Sequence, residues 1–212
     1  IKILKMFIDL RTTNDIDNPV SLDISYARRP LNVIPGKYIT KRIRQMVYGV
    51  TGVNGKNSMV AEDAQRKAIE EGTGMVCPKS DHVRIHETTL EMTKKTKPYS
   101  GEDADFEWTE DFDGDQSFLD GKCRFLYNLK SIPETGGAQT RSLRCVYHFI
   151  KVQQKLIESG NLDKNTYFVN ILEGEFCEQK MHLFDKLNNE RIYVGDLYNY
   201  FQWLNKKLQT IL

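Results

Sequence analysis

Two short patterns in this 212-residue chain combine residue types suited to metal-assisted hydrolysis: Asp111 and Asp113 in EWTEDFDG, and Asn128 and Lys130 in CRFLYNLKSI. Read with a period of two, Asp111 and Asp113 share one face of a candidate strand, and Asn128 and Lys130 share one face of the next. If the two strands are neighbours, two carboxylates, an amide and an ammonium converge at one end of a sheet. A hard cation such as Mg2+ takes oxygen ligands, keeps several waters and needs only one or two carboxylates beside a substrate phosphate. A lysine next to it could orient or help deprotonate an attacking water and offset charge growing on phosphate oxygens. The implied chemistry is Mg2+-assisted phosphodiester hydrolysis. Asp113, Asp111 and Asn128 are its candidate metal ligands, and Asp113, Asn128 and Lys130 its candidate catalytic set.

These residues need a sheet to position them, and the second half of the chain supplies the pattern for one. FEWTEDFDGD (106–115) alternates like a strand, QSFLDGK carries an Asp-Gly turn signal, and KCRFLYNLKSI reads as the returning strand of a hairpin. A Gly-rich entry and a long amphipathic helix follow in TGGAQTRSLRCVYHFIKVQQKLIESG, with Gly160 as its stop. TYFVNILEG is a nearly continuous apolar run, as expected of a strand buried on both faces. A helix over about 176–187, a strand RIYVG and a helix over about 196–208 complete the series. The expected fold class is α/β, with a mixed central sheet flanked by helices. In the first half, KYITKRIRQMVYGV and SMVAEDAQRKAIEEG read as helices. The expectation is a single domain, with residues 1–100 mostly helical and residues 101–212 forming the α/β core.

An acidic residue at the end of one strand, then residue-x-Lys on the next, then a helix, resembles the PD-(D/E)xK nucleases, and among them the type II restriction endonucleases. EWTEDFDG, YNLKSIPETGGAQTRSLRCVYHFIK and YFVNILEG carry the resemblance, which covers roughly Phe106 to the C-terminus. It implies a restriction-endonuclease-like core and a Mg2+-dependent, sequence-specific double-stranded DNA endonuclease acting as a homodimer. Asp113, with Asp111 as second choice, matches the metal-binding aspartate and Lys130 the lysine. Asn128 departs from the pattern, which has Glu or Asp there. Its carbonyl oxygen could serve instead, or Glu110 or Asp115 could contribute from the hairpin.

In the long helix, Arg141, Arg144, His148, Lys151 and Lys155 recur at intervals of three and four and form one polar stripe, opposite Leu143, Val146, Tyr147, Ile150 and Ile157. Such a stripe is an ordinary solvated face or a DNA-contacting one, and cations near a helix N-terminus oppose its dipole. On the DNA reading, the arginines contact phosphate or guanine, Gln139 and Thr140 add polar contacts, and Gly136 and Gly137 let backbone N–H groups approach an anion. Arg42, Arg44 and Lys56 extend the expected DNA surface, with Arg28, Arg29, Lys37 and Lys41 beside them.

The net charge of +1 makes any nucleic-acid surface a local patch. Hydrophobic residues at 40 % indicate a folded chain. Cys77, Cys123, Cys145 and Cys177 form no CxxC pair and read as reduced thiols of a cytoplasmic protein. No apolar run reaches membrane-spanning length and no signal peptide is visible, so no membrane partner is expected.

Two further motifs compete for function. GVTGVNGKNS (49–58) resembles the phosphate loop of the Mur-type amide ligases, with Lys56 as its lysine. Asn57 stands where a hydroxyl should hold Mg2+, and Val50 breaks the usual spacing. DFDGDQSFLDGK begins like a calcium loop, but Gln116 replaces its glycine and Lys122 its closing carboxylate. The four histidines show no metal-ligand spacing, and Trp108 and Trp203 are expected in the core.

Overall fold

The computed structural model describes residues 27–48, 56–93 and 104–212. The hairpin forms where the Asp-Gly signal lies. Strand β1 (Gly114–Phe118) pairs antiparallel with β2 (Cys123–Ser131). The chain reverses through Leu119, Asp120 and Gly121, all at positive φ, the backbone region that Asn, Asp and Gly tolerate best. β2 continues parallel to β3 (Thr166–Glu173), and β3 parallel to β4 (Ile192–Gly195), giving a mixed four-stranded sheet in the order β1-β2-β3-β4. The helices are α1 (Lys41–Tyr48), α2 (Lys56–Thr73), the short α3 (Ala104–Glu107), α4 (Gly137–Ser159), α5 (Glu175–Phe184) and α6 (Leu197–Ile211). Among the described residues, no helix is long and apolar enough to cross a membrane.

Period-two alternation distributes the strands between two apolar layers. Leu126, Phe168, Leu172, Ile192 and Val194 pack with Leu143, Val146, Phe149 and Ile150 of α4. Phe125, Tyr127, Leu129, Val169, Ile171 and Tyr193 pack on the other face with Ala68 and Ile69 of α2 and Tyr200, Phe201 and Leu204 of α6. Helix α2 therefore shares a core with β2 on one face of the sheet, while Val83 and Ile85 join the α4-side layer on the other. α4 ends at Gly160 in the left-handed conformation, the expected stop. All four cysteines are unpaired, and burial pushes the Cys77 and Cys177 thiols up to about 12.

The segment expected as a strand over 106–115 folds differently. Phe106 and Glu107 belong to α3, and β1 begins only at Gly114. The intervening residues are stitched to residues 83–87 instead: Thr109 N–H donates to Ile85 O at 2.9 Å, and Phe112 N–H to Val83 O at 3.1 Å. Phe112 turns into the core, and the acids beside it face different partners. A local pattern could not reveal that the pairing residues lie 24 and 29 positions upstream.

Asn128 lies in the α4-side layer as part of a buried amide cluster. Its Nδ2 donates to Asn170 Oδ1 at 3.1 Å, and Gln153 Nε2 of α4 donates to the same oxygen at 3.1 Å. Asn170 Nδ2 returns a bond to Gln153 Oε1 at 2.9 Å. These three amides tie β2, β3 and α4 together in an apolar surround. Replacing Asn170 by Leu strands two buried amides, each costing about 1–3 kcal/mol when unsatisfied. Urea unfolding is therefore expected to show a loss of about 2–5 kcal/mol, with Asn170→Asp less damaging at low pH than at neutral pH.

Candidate functional site

β1 begins opposite Tyr127, so residues 128–131 run past the hairpin with β3 alone as strand partner. Asp113 occupies the place where β1 would have continued. Its N–H donates to Tyr127 O at 2.7 Å, and its carboxylate Oδ2 accepts the Leu129 N–H at 2.7 Å, extending the ladder by a side chain. Arg66 of α2 donates Nη1 to the Asp113 carbonyl at 3.0 Å, fixing the same residue from the other side. The backbone thus holds this carboxylate at the carboxyl end of β2, the end where open α/β sheets bind ligands.

Lys130 reaches the same point. Its Nζ lies 3.8 Å from Asp113 Oδ2, 3.8 Å from Glu110 Oε2 and 3.9 Å from Glu62 Oε1. Lys130, Asp113 and Glu62 are largely covered, at 20 %, 15 % and 21 % exposure, whereas Glu110 is open at 56 %. One ammonium therefore faces three carboxylates, two of them poorly solvated. Burial, and then the neighbouring Asp113 charge, raise the Glu62 carboxyl above its ordinary value; Lys130 and Arg66 only partly offset them. Burial also raises Asp113, against the lowering effects of Lys130 and the Leu129 N–H. For Lys130 burial works against the charge, yet Asp113, Glu110 and Glu62 outweigh it and hold the ammonium protonated above its usual range. The cluster carries more negative charge than it neutralises, which favours a cation.

The oxygen donors suit a hard divalent ion, with Asp113 and Glu62 best placed by burial and charge. Among the described residues, no group of three or more His, Cys, Asp or Glu side chains is arranged to hold a metal by itself. An ion here would complete its coordination with water and substrate oxygen, as Mg2+ commonly does.

Of the residues expected from sequence, Asp113 and Lys130 come together with Glu110. Asp111 does not join them: its carboxylate is bonded by Arg84 Nε and by His82 Nδ1, the latter at 3.0 Å. Asn128 is 1 % exposed, with its amide committed to Asn170. Asp115 is held by Arg124 through two bonds of 2.9 and 2.7 Å, a structural pair of the hairpin. Glu62 was not anticipated. Nothing in SMVAEDAQRKAIEEG marks it beyond helical spacing, because its role depends on where α2 docks.

Arg141, Arg144, His148 and Lys151 form an exposed stripe on α4, with Thr140 exposed and Gln139 half-exposed at its start. His148 Nε2 meets Glu87 Oε2 at 2.9 Å, and Lys151 donates to Gln154 at 3.1 Å. Arg42 is exposed on α1 and Arg44 half-buried. Residues 49–55 of GVTGVNGKNS, and the side chains of residues 56–58, lie outside the described residues. The chain matches no known family model, no characterised protein and no solved structure.

Proposed function

We propose that this protein is a restriction-type DNA endonuclease that hydrolyses phosphodiester bonds with Mg2+. The observation that carries the reading is the Lys130 ammonium set among Asp113, Glu62 and Glu110 at the carboxyl end of β2. Asp113 and Glu62 would hold the ion, Glu62 standing in for the carboxylate that Asn128 lacks. A divalent cation there supplies Lewis-acid activation and charge neutralisation.

Lys130 stays an ammonium at neutral pH, so its part is to orient the attacking water and offset charge on a phosphate oxygen, rather than to take a proton. The water oxygen bonds to phosphorus as one P–O ester bond breaks. The water's proton passes to Glu110, the best solvated of the three carboxylates, or to solvent, and the departing oxygen is protonated from solvent. The α4 stripe, with Arg141 and Arg144 at its head, offers the cationic surface that a polyanion requires.

The burial of Asn128 favours one second reading, a DNA-binding protein without hydrolysis. Plasmid DNA incubated with the protein and Mg2+ separates the two. Discrete bands lost in Glu62→Gln, with rates falling about 100-fold or more, are expected on the nuclease reading. Intact plasmid in Mg2+ and in Mn2+, with a retained gel shift, would leave binding alone.

A further inference from the structure

Beside the Lys130 cluster lies a cavity of about 620 Å3, lined by Arg141, Arg144 and His148 of α4 and by Arg84, Glu87 and Glu110 on the facing segment. Glu110 belongs to both places, since its carboxylate is 3.8 Å from Lys130 Nζ. Trp108, expected in the core, is half-exposed and part of the same wall, where the His86 ring packs against it at a ring separation of 4.8 Å.

The charges around this space do not balance. Glu87 meets His148 at 2.9 Å, Glu110 faces Lys130, and Arg84 holds Asp111. Each acid in the lining thus has a basic partner. Arg141 and Arg144 are exposed, and neither has an acidic partner among the described residues. They lie three residues apart, one turn along the same face of α4, so both guanidiniums can bear on a single anion. The helix adds to the field, for it has no acid in its first turn and no side-chain cap at Gly136. Two cations near its positive end oppose the dipole and gain nothing from ion pairing. An anion in the cavity would answer both.

A DNA strand whose scissile phosphate sits at Lys130 continues to either side of it, and on the Glu110 side it runs into this cavity. We propose that Arg141 and Arg144 grip the neighbouring phosphate of the cut strand in duplex DNA. Two guanidiniums suit the two unbridged oxygens of a phosphodiester, which they bond as forked, charge-assisted pairs. Such a contact carries no sequence information; it fixes the register of the backbone, and so which P–O bond faces the Lys130 cluster. The substrate must therefore carry charge at the phosphate next to the cut, on one side of it only. This proposal rests on the phosphodiesterase reading above.

Fluorescence anisotropy with a labelled blunt duplex in EDTA, where no cleavage intervenes, tests the grip. Arg141→Ala and Arg144→Ala should each lower the slope of log affinity against log salt by about one. Arg144→Lys, which keeps a charge, should hold the parent slope, as should Lys164→Ala, an exposed lysine before β3 at the opposite end of the sheet. Cleavage in Mg2+ then tests the position. A methylphosphonate, which removes the phosphate charge, is placed one step to the 5′ side or one step to the 3′ side of the mapped cut. One of the two should slow cleavage about 10- to 100-fold, the loss expected for a charge-assisted bond, and the other only slightly. In the Arg141→Ala/Arg144→Ala protein that sensitivity should disappear. Melting curves of each variant report folding separately. Parent salt slopes in both folded alanine variants, equal sensitivity to the two methylphosphonates, or sensitivity that persists in the double variant would overturn the proposal. So would displacement of the duplex by inorganic phosphate beyond the effect of chloride at equal ionic strength, which would make the cavity a free-phosphate site. Lowered slopes without cleavage in Mg2+ would remove the hydrolytic reading and keep the cavity as a seat for duplex phosphate; cleavage with parent slopes in all variants would do the reverse.

Discussion

Lys130→Met is expected to lower the rate of DNA cleavage by about 10²- to 10³-fold, the usual loss when one group opposing transition-state charge is removed. Methionine keeps the apolar stem of the side chain and removes only the ammonium, so β2 should retain its packing. The substitution also has a signature independent of cleavage. Lys130 is the cation shared by Asp113, Glu62 and Glu110, and its charge lowers the otherwise raised carboxyl groups of Asp113 and Glu62. Without it, both rise further.

A carboxyl whose folded-state pKa lies above its unfolded value binds the proton more tightly when folded, so stability falls as pH rises from the ordinary carboxylate range through the raised value. Lys130→Met should therefore melt close to the parent near pH 5 and clearly below it near pH 8. Melting temperatures in the absence of metal, taken across that interval, check the sign. Lys130→Arg, which restores charge with a different shape, should recover the pH-dependence more fully than the cleavage rate. A metal-free Lys130→Met protein with the parent's melting profile at every pH would show that the ammonium does not neutralise this cluster.

Asp113→Asn should abolish cleavage while raising the melting temperature of the metal-free protein. The asparagine oxygen can still accept the Leu129 N–H bond that Asp113 Oδ2 accepts at 2.7 Å. What disappears is a buried charge that Lys130 only partly compensates, since the Asp113 carboxyl remains raised. The neutral form is favoured in the fold, and asparagine is its permanent equivalent.

Magnesium should reverse the ranking. Binding to the folded parent at tenfold over the dissociation constant adds about 1.4 kcal/mol, or about 3–5 °C for a chain of this length. Asp113→Asn should show little of that increment. Differential scanning fluorimetry with and without Mg2+ reads both effects. A metal-free Asp113→Asn protein that melts below the parent would mean that the charge stabilises the fold, against the burial described here.

The elements from β1 onward were legible because their signals are local. Leu119-Asp120-Gly121 turns the hairpin, Gly160 stops α4, and the unbroken apolar run of TYFVNILEG becomes β3, buried along its whole length. The site was legible only in part. Asp113 and Lys130 could be paired on parity and hairpin logic, but parity placed Asp111 with Asp113. Asp111 instead lies in a segment bonded to residues 83–87 and faces Arg84. Likewise Asn128 shares a strand face with Lys130, yet lies two residues deeper under α4, where a Gln153 and Asn170 cluster takes its amide.

Alone, the sequence determined the α/β character, the order of strands and helices from residue 114 onward, the amphipathic stripe of α4 and the identity of Lys130 as the residue most worth testing. Each follows from side-chain periodicity or backbone preference within a few residues. Only tertiary structure decided that Glu62 of α2 completes the charge around Lys130, that Arg84 draws Asp111 away, and that Trp108 lines a cavity instead of filling the core. These outcomes depend on contacts between residues distant in sequence. Electrostatic and packing energies follow the distances that docking sets, and no local pattern encodes those distances.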